Sequence, residues 1–287
     1  MLAAFFIVLR EVLEAALVVG IVLAASRSVS RRGLWVLAGV AAGVLASLLV
    51  AGFAEAIATA VSGMGQEFFN AGVLLLAGVM LGWHNVWMKS HGRELAQQMQ
   101  SVGAAVSAGI RPLSLLLVVV GLAVLREGAE VVLFMYGIAA GGTANAFDLW
   151  LGSTLGLLCG GAVGALMYFG LLRVPSRHLF TVTGWVLLFL AAGMAAQAAG
   201  FLVQAGALPA IVEPLWDSSG VISERGVTGS ILQVLVGYDD RPSAMQLIFF
   251  VVTFALIATL MRFVDRQQRR LRRAPSAAGG SPAVQRG

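Results

Sequence analysis

Seven stretches of this chain are each about 20 or more residues long and almost wholly apolar: roughly 2–25, 34–58, 67–88, 112–139, 149–172, 179–205 and 244–264. A helix rises about 1.5 Å per residue, so each stretch can cross the roughly 30 Å hydrocarbon layer of a bilayer. Lipid offers no hydrogen-bond partners, so the backbone of such a run must satisfy itself, and a helix does this within one segment. The composition agrees: 59% of the 287 residues are hydrophobic and only 11% are charged, against roughly a quarter in soluble proteins. The expected fold class is an all-α polytopic membrane protein with seven transmembrane helices, multi-pass in the cell (inner or plasma) membrane. The first run continues past Arg10 to about Ala25, too long for a signal-peptide core. The single cysteine, Cys159, rules out an internal disulfide and a cysteine-cluster metal site.

The loops predict orientation, because short cytoplasmic loops collect Lys and Arg. Arg27, Arg31 and Arg32 lie in the first loop, Lys89, Arg93 and Arg111 in the third, and Arg173 and Arg177 in the fifth. The second and fourth loops have neither Lys nor Arg. The long sixth, about 206–243, sets Arg225 and Arg241 against Glu213, Asp217, Glu224, Asp239 and Asp240. This alternation predicts an external N-terminus and a cytoplasmic C-terminus. Segment 89–111 reads as a cytoplasmic loop with a short polar helix around Arg93–Val102. Residues 265–287 form a basic tail suited to an anionic lipid surface, and the Ala-, Gly-, Ser- and Pro-rich composition of its end predicts disorder. The net charge of +5 comes mostly from this tail, so it speaks of topology and not of nucleic acid.

Two of the apolar runs carry the same charged pattern. Leu9-Arg10-Glu11-Val12-Leu13-Glu14 and Leu125-Arg126-Glu127-Gly128-Ala129-Glu130 both read L-R-E-x-x-E, 116 residues apart. Leu34-Trp35 is matched by Leu149-Trp150, and Phe68 before Gly72 by Phe180 before Gly184. Gly39, Gly43 and Ser47 in one half answer to Gly152, Gly156, Gly160 and Gly164 in the other. Helices 1–3 (about 1–90) therefore resemble helices 4–6 (about 112–205), with helix 7 (about 244–264) left over. Three helices per repeat is an odd number, so the halves insert with opposite orientation, an inverted 3+3 repeat with its site near the midplane.

Each intramembrane charge costs on the order of 2.5–3.5 kcal/mol at a helix centre, so such groups are functional by default. Glu11 and Glu14 fall about 60° apart on a helix, and Arg10 about 40° from Glu14, since each residue advances about 100°. Both carboxylates share a face, with a guanidinium beside the second; Glu127, Glu130 and Arg126 repeat this. If helices 1 and 4 face each other, four carboxylates converge with no histidine or thiolate between them, an oxygen-only site suited to a hard cation. The bland alternative is a pair of buried Arg–Glu contacts that only fix packing.

These residues resemble the oxidase-dependent iron permeases, the fungal high-affinity iron permease and its bacterial iron-uptake relatives. The family's R-E-G-x-E signature is intact at Arg126–Glu130; at Arg10–Glu14, Val12 replaces the usual glycine. The resemblance extends over residues 1–264, with Gln66-Glu67-Phe68-Phe69, Trp87-Met88, Pro214-Leu215-Trp216-Asp217 and Gly237-Tyr238-Asp239-Asp240-Arg241-Pro242-Ser243. It implies a permease domain at 1–264 that imports iron, with ferric iron the expected species. Glu11, Glu14, Glu127 and Glu130 would be the metal ligands, and Arg10 and Arg126 would orient those carboxylates. Iron is then the transported substrate and no other cofactor is implied. The expected partners are membrane lipid and a separate oxidase or periplasmic iron-binding protein. Asn70 stands where many relatives have another acid.

Candidates for the external mouth are Glu67, Asn70, Glu55, Asp217, Asp239 and Asp240. Each has an ordinary alternative: Glu67 as a first-turn helix acid, Glu55 as an interfacial side chain, the loop aspartates as solvated surface. His84, His91 and His178 read as interfacial histidines near the cytoplasmic ends of helices 3 and 6, with a metal-exit role as the minor reading. The alternatives to iron import are a permease for another hard or borderline divalent metal, such as manganese or lead, and an intramembrane carboxylate metalloenzyme subunit. The latter usually supplies Glu-x-x-His, a spacing absent here.

Overall fold

The computed structural model describes residues 1–61, 65–142, 145–170, 176–222, 228–229, 232–233 and 237–273. Seven long helices carry it: α1 (Leu2–Ala25), α2 (Arg32–Val61), α3 (Gln66–Ser107), α4 (Ser114–Ala140), α5 (Ala146–Tyr168), α6 (Ser176–Gln204) and α7 (Ala244–Arg273). Each predicted run forms a helix over most of its described length, because apolar sequence without an internal proline leaves nothing to interrupt it; Pro112 lies just ahead of α4. Five of the helices, α2, α3, α5, α6 and α7, are long and apolar enough to cross a membrane. The other two, α1 and α4, carry the R-E-x-x-E motifs and so hold three charged residues in a short central stretch.

Two predicted boundaries were wrong. The segment after residue 88 is not a loop with a short helix, because α3 continues unbroken to Ser107. Its polar part is rich in good helix formers (Glu94, Leu95, Ala96, Gln97, Gln98, Met99), and Gly92 and Gly103 cost only about 1 kcal/mol each. The fall in hydropathy at Lys89 therefore marks a change of surroundings, not the end of a helix. The helix stops before Gly109, whose φ of 72° glycine adopts without strain. Likewise α7 runs past 264 to Arg273. Lys89 Nζ and Asp265 Oδ2 pair at 3.1 Å and tie the two extensions together. The predicted disorder of the tail falls on 274–287, outside the described residues.

The packing exchanges elements between the halves. The most extensive contacts are α1 with α5, α2 with α4, and α3 with α6. The small-residue ridges make this possible. A Cβ at Gly43 would stand 2.7 Å from Gly121 O, and one at Gly156 the same distance from Phe5 O, so each second helix lies backbone to backbone on the motif helix of the other half. Both pairs are parallel: Gly39 and Gly43 meet Leu117 and Gly121 in order, and Gly152, Gly156 and Gly164 meet Met1, Phe5 and Ala16. By contrast α3 and α6 are antiparallel, with Gly78 against Ala191 O and Asn85 Nδ2 donating to Gly184 O at 2.8 Å.

Two apolar clusters result. One gathers Ala3, Ile7, Leu74, Phe134, Ile138, Met194 and Ile257. The other gathers Val18, Val22, Val36, Val106, Leu116 and Val120 at the opposite end of α1 and α4. The charged motifs lie between them. Large apolar side chains on the outer faces, among them Leu37, Leu45, Leu49 and Phe53 of α2 and Phe147, Trp150 and Leu158 of α5, are exposed, as lipid contact requires.

Filling the α1–α5 contact should unfold the protein selectively. Gly156→Val should lower stability in detergent by about 3 kcal/mol, the upper end for overpacking. Gly161→Val, on the same helix with no atom within 4 Å of its added Cβ, should be near neutral. Thermal unfolding of the two purified variants compares them directly.

Candidate metal centre

Helical spacing places Glu11 and Glu14 on the face of α1 that meets α4, and Glu127 and Glu130 on the face of α4 that meets α1. Arg10, Glu11, Glu14 and Glu127 are all buried. Arg10 serves both neighbours: Nη1 donates to Glu11 Oε1 at 3.2 Å, and Nη2 pairs with Glu14 Oε1 at 2.8 Å. Arg126 Nε repeats the pattern, at 3.3 Å from Glu130 Oε1 and 3.7 Å from Glu127 Oε1. The four motif carboxylates come together between α1 and α4, each pair beside its own arginine.

The site also holds a residue the sequence reading misassigned. His84, on α3, is buried between the two motifs and is not interfacial. Its Nε2 lies 3.2 Å from Glu14 Oε2 and 3.8 Å from Glu11 Oε2, and its Nδ1 contacts Glu130 Oε2. One imidazole thus bridges the halves, and the oxygen-only expectation is overturned. The misplacement follows from the α3 boundary: ending the helix at 88 put His84 near its tip, whereas in the longer helix it sits well inside. The rule that made the glutamates suspect, an ionisable group within an apolar run, applied equally to His84.

Ligand atoms of Glu11, His84, Glu127 and Glu130 all lie within 4.8 Å of one another. A first-row ion with bonds of about 2.1 Å needs its ligands no more than about 4.2 Å apart, so a contraction of some tenths of an ångström closes this group on a metal. Glu11 Oε2 and Glu127 Oε2 are buried and accept no hydrogen bond among the described residues. Glu14 stands outside this group, held by Arg10 and His84.

The two arginines differ. The Arg10 side chain is 3% exposed and that of Arg126 36%. The Arg126 guanidinium lies over the Trp87 ring, 4.6 Å from its centroid. The site is therefore sealed beside Arg10 and open beside Arg126.

The glycine missing from the first motif is explained by a compensating change across the contact. A Cβ at Gly128 would collide with Ser47 of α2, whereas Val12 packs against Gly160 of α5. Each contact has one larger and one smaller member, with the order reversed. No shift of α1 is needed to accommodate Val12.

The six candidates for the mouth do not join this cluster. Glu67 is exposed in the first turn of α3, and Asn70 follows it, half-buried. Glu55 accepts a 2.5 Å hydrogen bond from Tyr136 Oη, joining α2 to α4. Asp217 accepts from Ser219 Oγ and N at 2.6 and 3.0 Å and pairs with Arg241 at 3.1 Å. The Ser219 bonds, with Arg241, hold its carboxyl below the usual range. Asp239 accepts from Arg241 N at 2.8 Å and Gln246 Nε2 at 3.1 Å. The carbonyl of Asp240 accepts from Ser218 N at 2.9 Å. His91 is exposed and stacks on Trp87. Glu224 and the side chain of His178 lie outside the described residues.

A bundle of long apolar helices around a buried carboxylate–imidazole cluster is the architecture of a polytopic membrane protein with a polar site at its centre. Residues 1–265 match the Iron permease FTR1 family, and the chain belongs to it. It is similar to the "Ferrous iron permease EfeU" of Escherichia coli O6:H1, 32% identical over 270 residues that cover 92% of this chain and 95% of that protein. The protein of the same name from Shigella sonnei is 32% identical over 269 residues, with the same coverage. No solved structure matches. The chain is therefore a multi-pass membrane permease of the inner or plasma membrane, and not an enzyme.

The Val12/Gly160 and Gly128/Ser47 contacts predict a swap. Gly128→Val alone should cost about 1–3 kcal/mol by overpacking and lower the yield of folded protein. Adding Ser47→Gly should restore most of it. Size-exclusion profiles in detergent score both; equal profiles for the single and double variants would count against the explanation.

Proposed function

We propose that this protein imports iron through a site built from Glu11, His84, Glu127 and Glu130, with Glu14, Arg10 and Arg126 holding those ligands in place. The observation that carries this reading is the meeting of both motifs on one buried imidazole. Seven spanning helices in an inverted 3+3 arrangement plus α7, with the N-terminus outside, fit the exchanged and direction-matched helix pairs. The arginine-rich first loop, the α3 extension and the start of α4 gather at one end of the bundle, around Val22, Val36, Val106 and Leu116, as a cytoplasmic end would.

Ferrous iron is the species we propose, in place of the ferric ion expected from sequence. Imidazole is a borderline donor that suits iron(II) better than an all-oxygen cage does, and the relatives bear the name of ferrous iron permeases. Charge argues the same way. As metal ligands, four carboxylates and a neutral imidazole beside two guanidiniums carry a formal charge of minus two, which one divalent ion cancels. Both His84 nitrogens face carboxylates, so a metal on either nitrogen displaces one of them. A separate periplasmic iron-binding protein would deliver the ion; the oxidase expected from the resemblance belongs with the ferric reading, since its product is the ferric ion. Manganese and lead are the competing cargoes.

Metal flux into proteoliposomes tests this. Glu11→Gln and Glu130→Gln should each lower iron flux by more than about a hundredfold, since removing even an indirect support of a metal ligand costs 10- to 100-fold. Purified yield should hold. Normal flux in both variants would end the proposal. His84→Asp should restore an oxygen-only cage and let manganese compete better against iron.

A further inference from the structure

The two motif arginines share a spacing but not a grip. Arg10 binds through the outer nitrogens of its guanidinium, Nη2 to Glu14 Oε1 at 2.8 Å and Nη1 to Glu11 Oε1 at 3.2 Å. Its shorter contact goes to the one motif carboxylate outside the metal-sized group. Arg126 approaches its acids with the inner nitrogen, Nε, which donates to Glu130 Oε1 at 3.3 Å and lies 3.7 Å from Glu127 Oε1. Both of those carboxylates belong to the group. A cation bound there and the Arg126 guanidinium therefore draw on the same two side chains.

Arg126 has a second partner that Arg10 lacks. Its guanidinium carbon lies over the half-buried Trp87 ring, 4.6 Å from the centroid. His84, Trp87 and His91 are three and then four residues apart, so they follow one face of α3. The exposed His91 ring stacks on Trp87, with centroids 5.0 Å apart and planes 15° from parallel. Chain direction places Arg126, Trp87 and His91 on the side of the cluster facing the end of α3 and the start of α4, the side that the loop arginines mark as cytoplasmic. Arg10 precedes Glu11 on α1 and falls on the other side, where Ile7 and Phe134 are fully buried.

We propose that Arg126 is the exchangeable counter-charge of the metal site. A divalent cation binding Glu127 and Glu130 displaces its Nε–H, the guanidinium stays on Trp87, and it returns to the carboxylates as the ion leaves toward the cytoplasm. The exchange needs a guanidinium that the acids hold loosely, a partner that does not compete for their oxygens, and room to move. The 3.3 and 3.7 Å contacts supply the first. The Trp87 face supplies the second, since an indole attracts a cation without being an anion. The partial exposure of Arg126 supplies the third, and Arg10, shut in against Glu14, has none of them. The return of Arg126 also lets a buried site release its ion, because carboxylates stripped of metal and left short of positive charge would hold it back. This inference rests on the iron-import reading, and its inward direction on the orientation that goes with it.

Ferrous ion titrated without oxygen onto the purified full chain in detergent, with flux into proteoliposomes beside it, is the test. Arg126→Gln should bind the ion about tenfold more tightly, since a unit charge about 6 Å from a divalent ion in a water-like dielectric is worth about that factor. Its half-saturating concentration and its saturating flux should fall together, because the ion is held too long. An arginine that only positions the carboxylates gives the opposite sign, and weaker or unchanged binding in Arg126→Gln would overturn the proposal. Trp87→Leu leaves the acids untouched and should weaken binding about two- to fivefold, the worth of an exposed cation–π contact. Trp87→Phe keeps a ring face and should recover most of that loss; equal binding by the Leu and Phe variants would overturn the exchange even if Arg126→Gln does not fold. Glu130→Gln is the reference. If it binds ferrous ion as the parent does, the iron-site reading fails first; if it loses the ion while Arg126→Gln binds no tighter than the parent, only the exchange fails.

Discussion

The buried pairing of charges at the centre of the bundle is the constraint on which the rest depends. Two guanidiniums, four carboxylates and an imidazole lie where lipid or apolar side chains would otherwise be, and each unpaired charge there would cost several kcal/mol. Arg10 and Arg126 meet this cost locally, each from within its own motif. His84 links the halves, its two ring nitrogens touching Glu14 on α1 and Glu130 on α4. For these contacts to form, α1, α3 and α4 must approach closely, which sets the demand on packing elsewhere.

That demand explains the glycines. Lipid gives helices no hydrophobic reason to associate, so close backbone contact has to supply the attraction. The ridges on α2 and α5 supply it by lying against α4 and α1. Each half thereby braces the motif helix of the other, and neither half is complete alone. The Val12–Gly160 and Ser47–Gly128 contacts show how tight the fit is: a methyl-sized change on one helix is matched by its opposite on the neighbour.

The apolar clusters on either side of the charges give the site its depth. Ile7 and Phe134 close it toward one end, and Val18, Val120 and their neighbours toward the other. The seal is uneven, since Arg10 is shut in and Arg126 is partly open. Two halves with related sequences thus stand in different surroundings.

Much of this was legible in the sequence. Apolar run length fixed the helices, because a backbone in lipid has no other way to satisfy itself, and helical spacing put each motif's carboxylates on one face beside an arginine. The two matching motifs pointed to the site. What sequence could not give was where polarity ends a helix and where it only ends a membrane, so α3 was cut at 88 when it runs to Ser107. That error hid His84, whose place among the glutamates depends on how α3 crosses α1 and α4. The exclusion of Glu14 from the metal-sized group, the partner of Val12 and the roles of Asp217 and Asp239 as loop braces were equally tertiary matters. Periodicity is a property of one helix and can be read from its residues; a ligand set drawn from three helices exists only once they have packed.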